Sequence, residues 1–113
     1  MKFVFAAVSV SACLVSGAAF AKDTQLWNLT ANTITALQMS PAGKDAWGAD
    51  QTANDNDHSV DHDERLKITD IATGAYDVRF TDKTGRKCVV RNVAVKQGAV
   101  FTIAEKSLTG CTH

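Results

Sequence analysis

The residues best suited to chemistry are concentrated in one short segment, residues 54–65. Its sequence, NDNDHSVDHDER, contains five acidic side chains, two histidines and a single base. Imidazole nitrogens combined with carboxylate oxygens suit zinc, copper or nickel, and an adjacent aspartate can orient each histidine ring. If the segment holds a divalent metal ion, its candidate ligands are His58, His62, Asp57, Asp61 and Asp63.

Two other interpretations of the same segment are open. Calcium binding by an EF-type loop requires glycine at the sixth position and glutamate at the twelfth, but counted from Asp55 these positions hold Val60 and Leu66. A looser cage of aspartate oxygens is still compatible with the residue types. The simplest alternative is a hydrated connection, in which Asn and Asp satisfy turn backbones and the charge protects neighbouring strand edges from aggregation. The sequence favours this last interpretation, because it requires no convergence of side chains.

Familiar catalytic motifs are missing from the sequence. It contains no Gly-x-Ser-x-Gly, no HExxH and no glycine-rich phosphate loop, and side chains on a flexible loop rarely preorganise catalysis without supporting contacts. The sequence therefore predicts a small binding or structural protein without catalytic activity. Two alternative functions are a periplasmic metal-binding protein that uses the His/Asp-rich segment, and an inhibitor or accessory subunit of an envelope enzyme that presents residues 41–64.

Residues 1–21 have the pattern of a bacterial secretory signal. Lys2 gives a short positive start, residues 3–15 form an almost uninterrupted apolar run, and Ala19 and Ala21 are the small residues that a signal peptidase recognises. The pattern predicts cleavage between Ala21 and Lys22. The apolar run is shorter than the roughly 20 residues that a membrane span needs. We therefore expect a periplasmic or secreted protein with no membrane span after cleavage.

Cleavage would also change the cysteine content of the chain. It would discard Cys13 and leave Cys88 and Cys111 in residues 22–113. In an oxidising compartment these two cysteines are expected to form a disulfide, which would stabilise a single domain with a modest core. The alternative at Cys13 is lipidation, because VSAC at residues 10–13 loosely fits the pattern that precedes a lipidated cysteine.

Charge is unevenly distributed along the chain. Residues 50–64 carry six acids and no base, whereas residues 79–106 carry seven bases and two acids. These bases alternate with apolar residues, which is typical of the solvated face of strands; an anion-binding face is the alternative. Aromatic residues are not interleaved with the bases, so nucleic-acid binding is not expected. The expected partner is an unidentified protein or small ligand in the cell envelope.

Two-residue alternation of apolar and polar residues predicts an all-β fold. The predicted strands lie in residues 24–30, 33–40, 65–70, 72–82, 86–95 and 99–105. Six or seven short strands indicate a small antiparallel β-sandwich or open barrel with one disulfide. Residues 41–64 form a long acidic loop between the second and third strands, and such lengths are typical of functional or irregular segments. We expect Trp47 to pin this loop against the edge of the sandwich, with stacking on a ligand as the alternative.

The phase of the side chains predicts further details of the strands. Trp27 and Leu29 share one face of the first strand. In the second strand, Ile34 is out of phase with Leu37 and Met39, which predicts a bulge between them. The faces of the fourth predicted strand carry Tyr76, Val78 and Phe80 on one side and Asp77, Arg79 and Thr81 on the other.

Several short motifs spread over most of residues 22–113 resemble a group of small secreted bacterial domains of unknown function. The motifs are Asn28 with Thr30, Ile34, Leu37, Ser40 with Pro41, Trp47 with Gly48, and YDVRFTDKTGRKC at residues 76–88. The resemblance implies the same fold and an exported location. Members often carry the label argininosuccinate lyase, but that lyase is several times longer and mostly helical, and this sequence lacks its serine-rich loop. At residues 61–65 the chain has DHDER where the group has a turn like PGES, so the resemblance assigns no role to the His/Asp-rich segment.

Overall fold

The computed structural model describes residues 22–113; the predicted signal peptide, with Cys13 and Ala21, lies outside the described residues. The described part contains the strands β1 (Thr24–Leu29), β2 (Ile34–Pro41), β3 (Arg65–Ile68), β4 (Gly74–Asp82), β5 (Lys87–Val95), β6 (Val100–Ala104) and β7 (Cys111–Thr112). Two short 3₁₀ helices, Gln51–Asn54 and Glu105–Ser107, lie in the connections. The all-β prediction is confirmed. No helix within residues 22–113 has the length and apolar character needed to cross a membrane.

The strands form two sheets that share one hydrophobic core. β3, β1 and β6 make a three-stranded sheet in that order, and β2, β4, β5 and β7 make a four-stranded sheet. Leu26 from the first sheet and Leu37 and Val78 from the second are fully buried in the same cluster. The predicted sandwich is therefore present. One pair differs from the predicted antiparallel arrangement: β1 and β6 run parallel. A parallel pair requires a crossover connection, and the chain that contains β2 to β5 supplies it.

The four-stranded sheet follows the predicted alternation. In β4, Tyr76, Val78 and Phe80 face the core, as successive side chains on a strand point to opposite faces. The register of β2 against β4 shifts directly after Ile34, so the predicted bulge is confirmed. The bulge allows both Ile34 and Leu37 to be fully buried, although their spacing would place them on opposite faces of a regular strand.

The first strand buries the face opposite its tryptophan. Leu26 and Asn28 are fully buried, whereas Trp27 and Leu29 are half-buried on the outer face. The guanidinium of Arg65 on the neighbouring β3 lies 4.9 Å from the centre of the Trp27 ring. The ring is therefore covered by a cation–π contact on the surface of the sheet instead of by the core.

The connection between β2 and β3, residues 42–64, begins by covering the free edge of β2. The backbone N–H of Gly48 donates to the carbonyl of Met39 at 2.9 Å. The carboxylate of Asp50 accepts a hydrogen bond from the backbone N–H of Leu37, also at 2.9 Å. Backbone groups that would otherwise be open to another strand are thus satisfied within the chain.

The same connection then reaches β3, the edge of the other sheet. The side chain of Gln51 exchanges hydrogen bonds with the backbone of Thr69 at 2.9 and 3.0 Å, and the Asn54 amide donates to the carbonyl of Lys67 at 2.8 Å. Val60 is buried in the core with 1% of its surface exposed. Residues 42–64 therefore join the edges of the two sheets and close one side of the sandwich. This role agrees with the protection of strand edges considered for the acidic loop.

The predicted disulfide is confirmed. β5 and β7 pair with Cys88 directly opposite Cys111, and their sulfur atoms are bonded. Cys88 belongs to the buried core, so the bond fastens the short β7 to the interior of the domain. The neighbouring Gly110 lies so close to β5 that an added Cβ would meet the carbonyl oxygen of Val89 at 2.8 Å. Only glycine permits this close approach.

Candidate functional site

The predicted metal-binding carboxylates make separate local contacts. Each of the three accepts a hydrogen bond from a different part of the chain, as is usual for aspartates that stabilise turns. The donors are Ser59 Oγ to Asp57, Thr33 Oγ1 to Asp61 and Trp27 Nε1 to Asp63, at 2.9, 3.0 and 3.0 Å. Asp57 also interacts with the neighbouring Asp55. The hydrogen bond between the two carboxyls raises the pKa of Asp55 and lowers the pKa of Asp57.

The two histidines of the predicted set have different surroundings. His58 is exposed in a turn with φ of 57°. The Nδ1 atom of His62 lies 2.7 Å from the carbonyl oxygen of Thr30; since a carbonyl can only accept, Nδ1 donates this hydrogen bond. Within residues 22–113, no three His, Cys, Asp or Glu side chains are grouped closely enough to hold a metal ion. Metal binding by His58, His62 and the three aspartates stays a prediction.

A buried amide, Asn28, attaches the His/Asp-rich segment to β1. Its Nδ2 donates to the carbonyl oxygens of Asn32, Val60 and Asp61 at 3.1, 2.9 and 3.2 Å. Its Oδ1 accepts from the backbone N–H and the hydroxyl of Thr30 at 2.9 and 2.7 Å. Asn28 has none of its surface exposed, so these contacts fully replace hydration of the amide. The segment is thereby held in one position on the sandwich.

A second network, centred on Arg86, adjoins the first through Asn32, whose Nδ2 donates to Asp82 at 3.3 Å. Arg86 forms a 2.9 Å ion pair with the buried Asp82 and a two-pronged pair with Glu105, at 2.7 and 3.1 Å. The hydrogen bonds from Arg86 and from the backbone of Ala31 lower the pKa of Glu105 to about 2. Burial alone would raise the pKa of Asp82, but hydrogen bonds from Thr84 and Arg86 outweigh it and the pKa is lowered.

The buried carboxylate of Asp77 fixes the bulged part of β5. It accepts hydrogen bonds from the backbone N–H groups of Gly43 and Asn92, at 3.0 and 3.1 Å, and pairs with Arg91 at 3.0 Å. The two backbone hydrogen bonds lower the pKa of Asp77 most, and Arg91 lowers it further. The carboxylate therefore acts as a structural acceptor that joins the start of the β2–β3 connection to β5.

The lowered pKa values predict loss of stability in acid. Because Asp77, Asp82 and Glu105 have lower pKa values in the folded chain than in the unfolded chain, the unfolded state takes up more protons as the pH falls. The free energy of unfolding should be nearly constant above about pH 5 and should fall progressively toward about pH 2. Glu105→Gln should be less stable than the wild type at pH 7, and most of the difference should be lost as the pH falls to about 2, the folded-state pKa of Glu105.

Urea unfolding between pH 7 and pH 2 measures this effect. Asp23→Asn is the control, because it removes an exposed carboxylate that lies 3.9 Å from Lys67 without touching the Arg86 network. A stability difference between Glu105→Gln and the wild type that stays the same at every pH would contradict the assignment.

A concave surface crosses the outer face of the four-stranded sheet; we call it the sheet groove. Its cavity has a volume of about 470 Å³. The polar residues that line it are Gln38, Arg79, Thr81, Lys87 and Thr112, and small or apolar residues such as Ala36, Val89 and Gly110 complete the lining. The strand register sets two rows across the groove, Thr81–Lys87–Thr112 and Gln38–Arg79–Val89.

Trp47 holds the β2–β3 connection beside this groove. The guanidinium of Arg79 lies 4.4 Å from the centre of its ring, and the indole N–H donates to Asp45 at 3.2 Å. The Gln38 amide, in turn, donates to the carbonyl of Gly48 at 3.1 Å. Trp47 therefore pins the connection to the sheet as expected, although through a cation–π contact with Arg79 on the outer face.

The sequence alone did not single out the sheet groove. Alternation in β4 places Arg79 and Thr81 on the same outer face, and that signal was available. The position of Lys87 beside them depends on the register of β4 against β5, which alternation within one strand does not determine. No family model, curated protein or solved structure matches the chain. Function is therefore inferred from the geometry and chemistry of the described residues, and the resemblance to the small secreted domains stays a prediction.

Proposed function

We propose that the protein is an exported binding protein that holds its ligand in the sheet groove and carries out no reaction on it. The observation that carries this proposal is the groove itself. Its volume of about 470 Å³ falls in the range of about 300–1,000 Å³ typical of small-molecule sites. Hydrogen-bonded strands form its floor, so the lining side chains are held on a rigid surface. Cys88 in the groove lining is bonded to Cys111 and offers no free thiol.

Two features support export. Residues 1–21 have the sequence pattern of a secretory signal. The disulfide between Cys88 and Cys111 is a bond that persists in oxidising compartments such as the bacterial periplasm and is rare in the cytosol. A small domain that relies on this bond to hold β7 is suited to the periplasm or the medium.

We expect the chain recovered from the cell envelope to begin at Lys22 and to carry Cys88 and Cys111 as a disulfide. An osmotic-shock fraction should contain the protein, and its intact mass should match residues 22–113 less one pair of hydrogens. A thiol assay on the denatured protein should detect no free thiol. A cytoplasmic marker enzyme, followed through the same fractions, controls for lysis. A chain that still begins at Met1, or one with both cysteines reduced, would contradict the proposal.

A further inference from the structure

The guanidinium of Arg79 is fixed at one wall of the sheet groove. The ring of Trp47 covers it at 4.4 Å, and its Nε donates to the side chain of Gln38 at 2.9 Å. Within residues 22–113, its two terminal nitrogens make no hydrogen bond or ion pair with another side chain. The orientation of the guanidinium is therefore set by the protein, while its two-pronged donor edge is available to a ligand.

Within residues 22–113, neither cation of the groove forms an ion pair with an acidic side chain. The ion pairs of the described residues are Lys67–Asp23, Arg86–Asp82, Arg86–Glu105 and Arg91–Asp77. They leave out both Arg79 and Lys87, and the groove lining contains no Asp or Glu. Asp45, the acid beside Trp47, uses its carboxylate on the indole N–H. Arg79 is half-buried, and together with Lys87 its unpaired charge makes the groove positive and favours an anion there.

We infer that the sheet groove binds a small organic oxyanion, either a carboxylate or a phosphate monoester. This inference rests on the proposed binding function and names its ligand class. The forked edge of Arg79 matches the geometry of two oxygens on a carboxylate or phosphate. Lys87 adds a second positive charge from the neighbouring strand, and the hydroxyl of Thr81, paired with Lys87 in the sheet, can donate to a third oxygen.

The rest of the groove suits the carbon part of such a ligand. Val89 lies next to Arg79 in the strand register, and Ala36 leaves space on the β2 side because its side chain is small. A cavity of about 470 Å³ is far larger than an inorganic phosphate needs. The ligand is therefore a molecule with an apolar body behind its charged group.

The test uses two aromatic anions and their matched relatives. Benzoate and phenyl phosphate are the anionic probes, benzamide is the neutral probe and benzylamine is the cationic probe. Each is titrated at low salt into the purified, disulfide-bonded protein, and binding is followed by backbone amide NMR. The variants are Arg79→Lys and Lys87→Gln; Lys96→Gln is the control, because it removes an exposed lysine outside the groove lining.

The anions should shift the amides of Gln38, Arg79 and Lys87 saturably, and the neutral and cationic probes should not. Arg79→Lys should weaken binding by about tenfold, since lysine keeps the charge but loses the fork. Lys87→Gln should weaken it severalfold and reduce its dependence on salt. Lys96→Gln should leave the affinity unchanged. A preference for benzoate or for phenyl phosphate identifies which oxyanion the site prefers.

Three outcomes would overturn the inference, and they separate it from the proposed function. If benzamide binds the groove as tightly as benzoate, the binding function stands but the oxyanion class is wrong. If no probe shifts the groove amides, both the inference and the groove as binding surface fail. If the anions bind but Lys87→Gln and Lys96→Gln weaken them equally, the attraction is only a general effect of positive charge. Lys87→Gln keeps the test valid if Arg79→Lys disturbs the packing of Trp47, because Lys87 is exposed.

Discussion

Replacing Asn28 with alanine should lower the free energy of unfolding by about 3 kcal/mol. Asn28 is completely buried, and the substitution removes an acceptor from the backbone and hydroxyl of Thr30. It also removes the Asn28 Nδ2 group, which donates to the carbonyls of Val60 and Asp61. Each buried polar group that loses its partner costs about 1–3 kcal/mol. Because these carbonyls keep one other hydrogen bond each, the expected total is below the simple sum.

Urea unfolding of Asn28→Ala and of a matched exposed amide tests this estimate. Asn54 also donates to a backbone carbonyl, that of Lys67 at 2.8 Å, but its residue is exposed, so Asn54→Ala should cost less than about 1 kcal/mol. Asn28→Asp should destabilise at least as much as Asn28→Ala at pH 7, because it sets a carboxylate against three carbonyl oxygens. Equal effects at positions 28 and 54 would show that the buried network is not what holds the connection.

The His/Asp-rich segment illustrates how a residue pattern can serve structure and still resemble a site. Its aspartates accept hydrogen bonds from Ser59 in the segment, from Thr33 before β2 and from Trp27 on β1. The connection that contains the segment covers the edges of β2 and β3. Edge strands with open backbone groups are prone to pair with other chains. Hydrogen bonds made by Gly48, Asp50, Gln51 and Asn54 satisfy these edges within the chain. The chemistry expected of the segment and its structural role thus use the same side chains.

Much of the fold follows from local patterns that the sequence displays directly. Tyr76, Val78 and Phe80 alternate with polar residues, and a half-buried strand must show this period. The phase break after Ile34 predicted the bulge because two buried residues three apart cannot share a face of a regular strand. The disulfide followed from the two cysteines that an exported chain would keep. These features depend on a few neighbouring residues or on simple counting.

Other features depend on contacts between distant parts of the chain. Alternation places Trp27 and Leu29 on one strand face, but only the tertiary structure shows that this is the outer face, where Arg65 from β3 covers Trp27. A polar Asn28 at the centre of the domain is stable only because residues 30–61 supply its partners. The sheet groove likewise exists because β5 aligns Lys87 beside Thr81 and because Trp47 folds back onto Arg79. Registers between strands and long-range hydrogen bonds are not encoded in local periodicity.

Removing the disulfide should also lower the free energy of unfolding by about 3 kcal/mol. The bond joins Cys88 and Cys111, 23 residues apart in the chain, and a link of this length restricts the unfolded chain substantially in the chain-entropy account. Its loss should be felt most at β7, which contains two residues and pairs with β5 at only two positions. Urea unfolding of the oxidised protein, the reduced protein and the variant Cys88→Ser/Cys111→Ser measures the effect.

The reduced protein and the double variant serve as controls for each other, because they lose the same link but differ in the size and polarity of the side chains. Reductant should destabilise the wild type to about the level of the double variant and should not affect the variant. Hydrogen exchange should locate the change: the N–H of Val89, bonded to the carbonyl of Gly110 at 2.8 Å, should lose protection, whereas Phe80 in the centre of the sheet should keep it under native conditions. Equal stability of the oxidised and reduced wild type would mean that strand pairing alone holds β7. In that case Gly110 and Thr112 would still line the groove without the bond, and oxyanion binding should survive reduction.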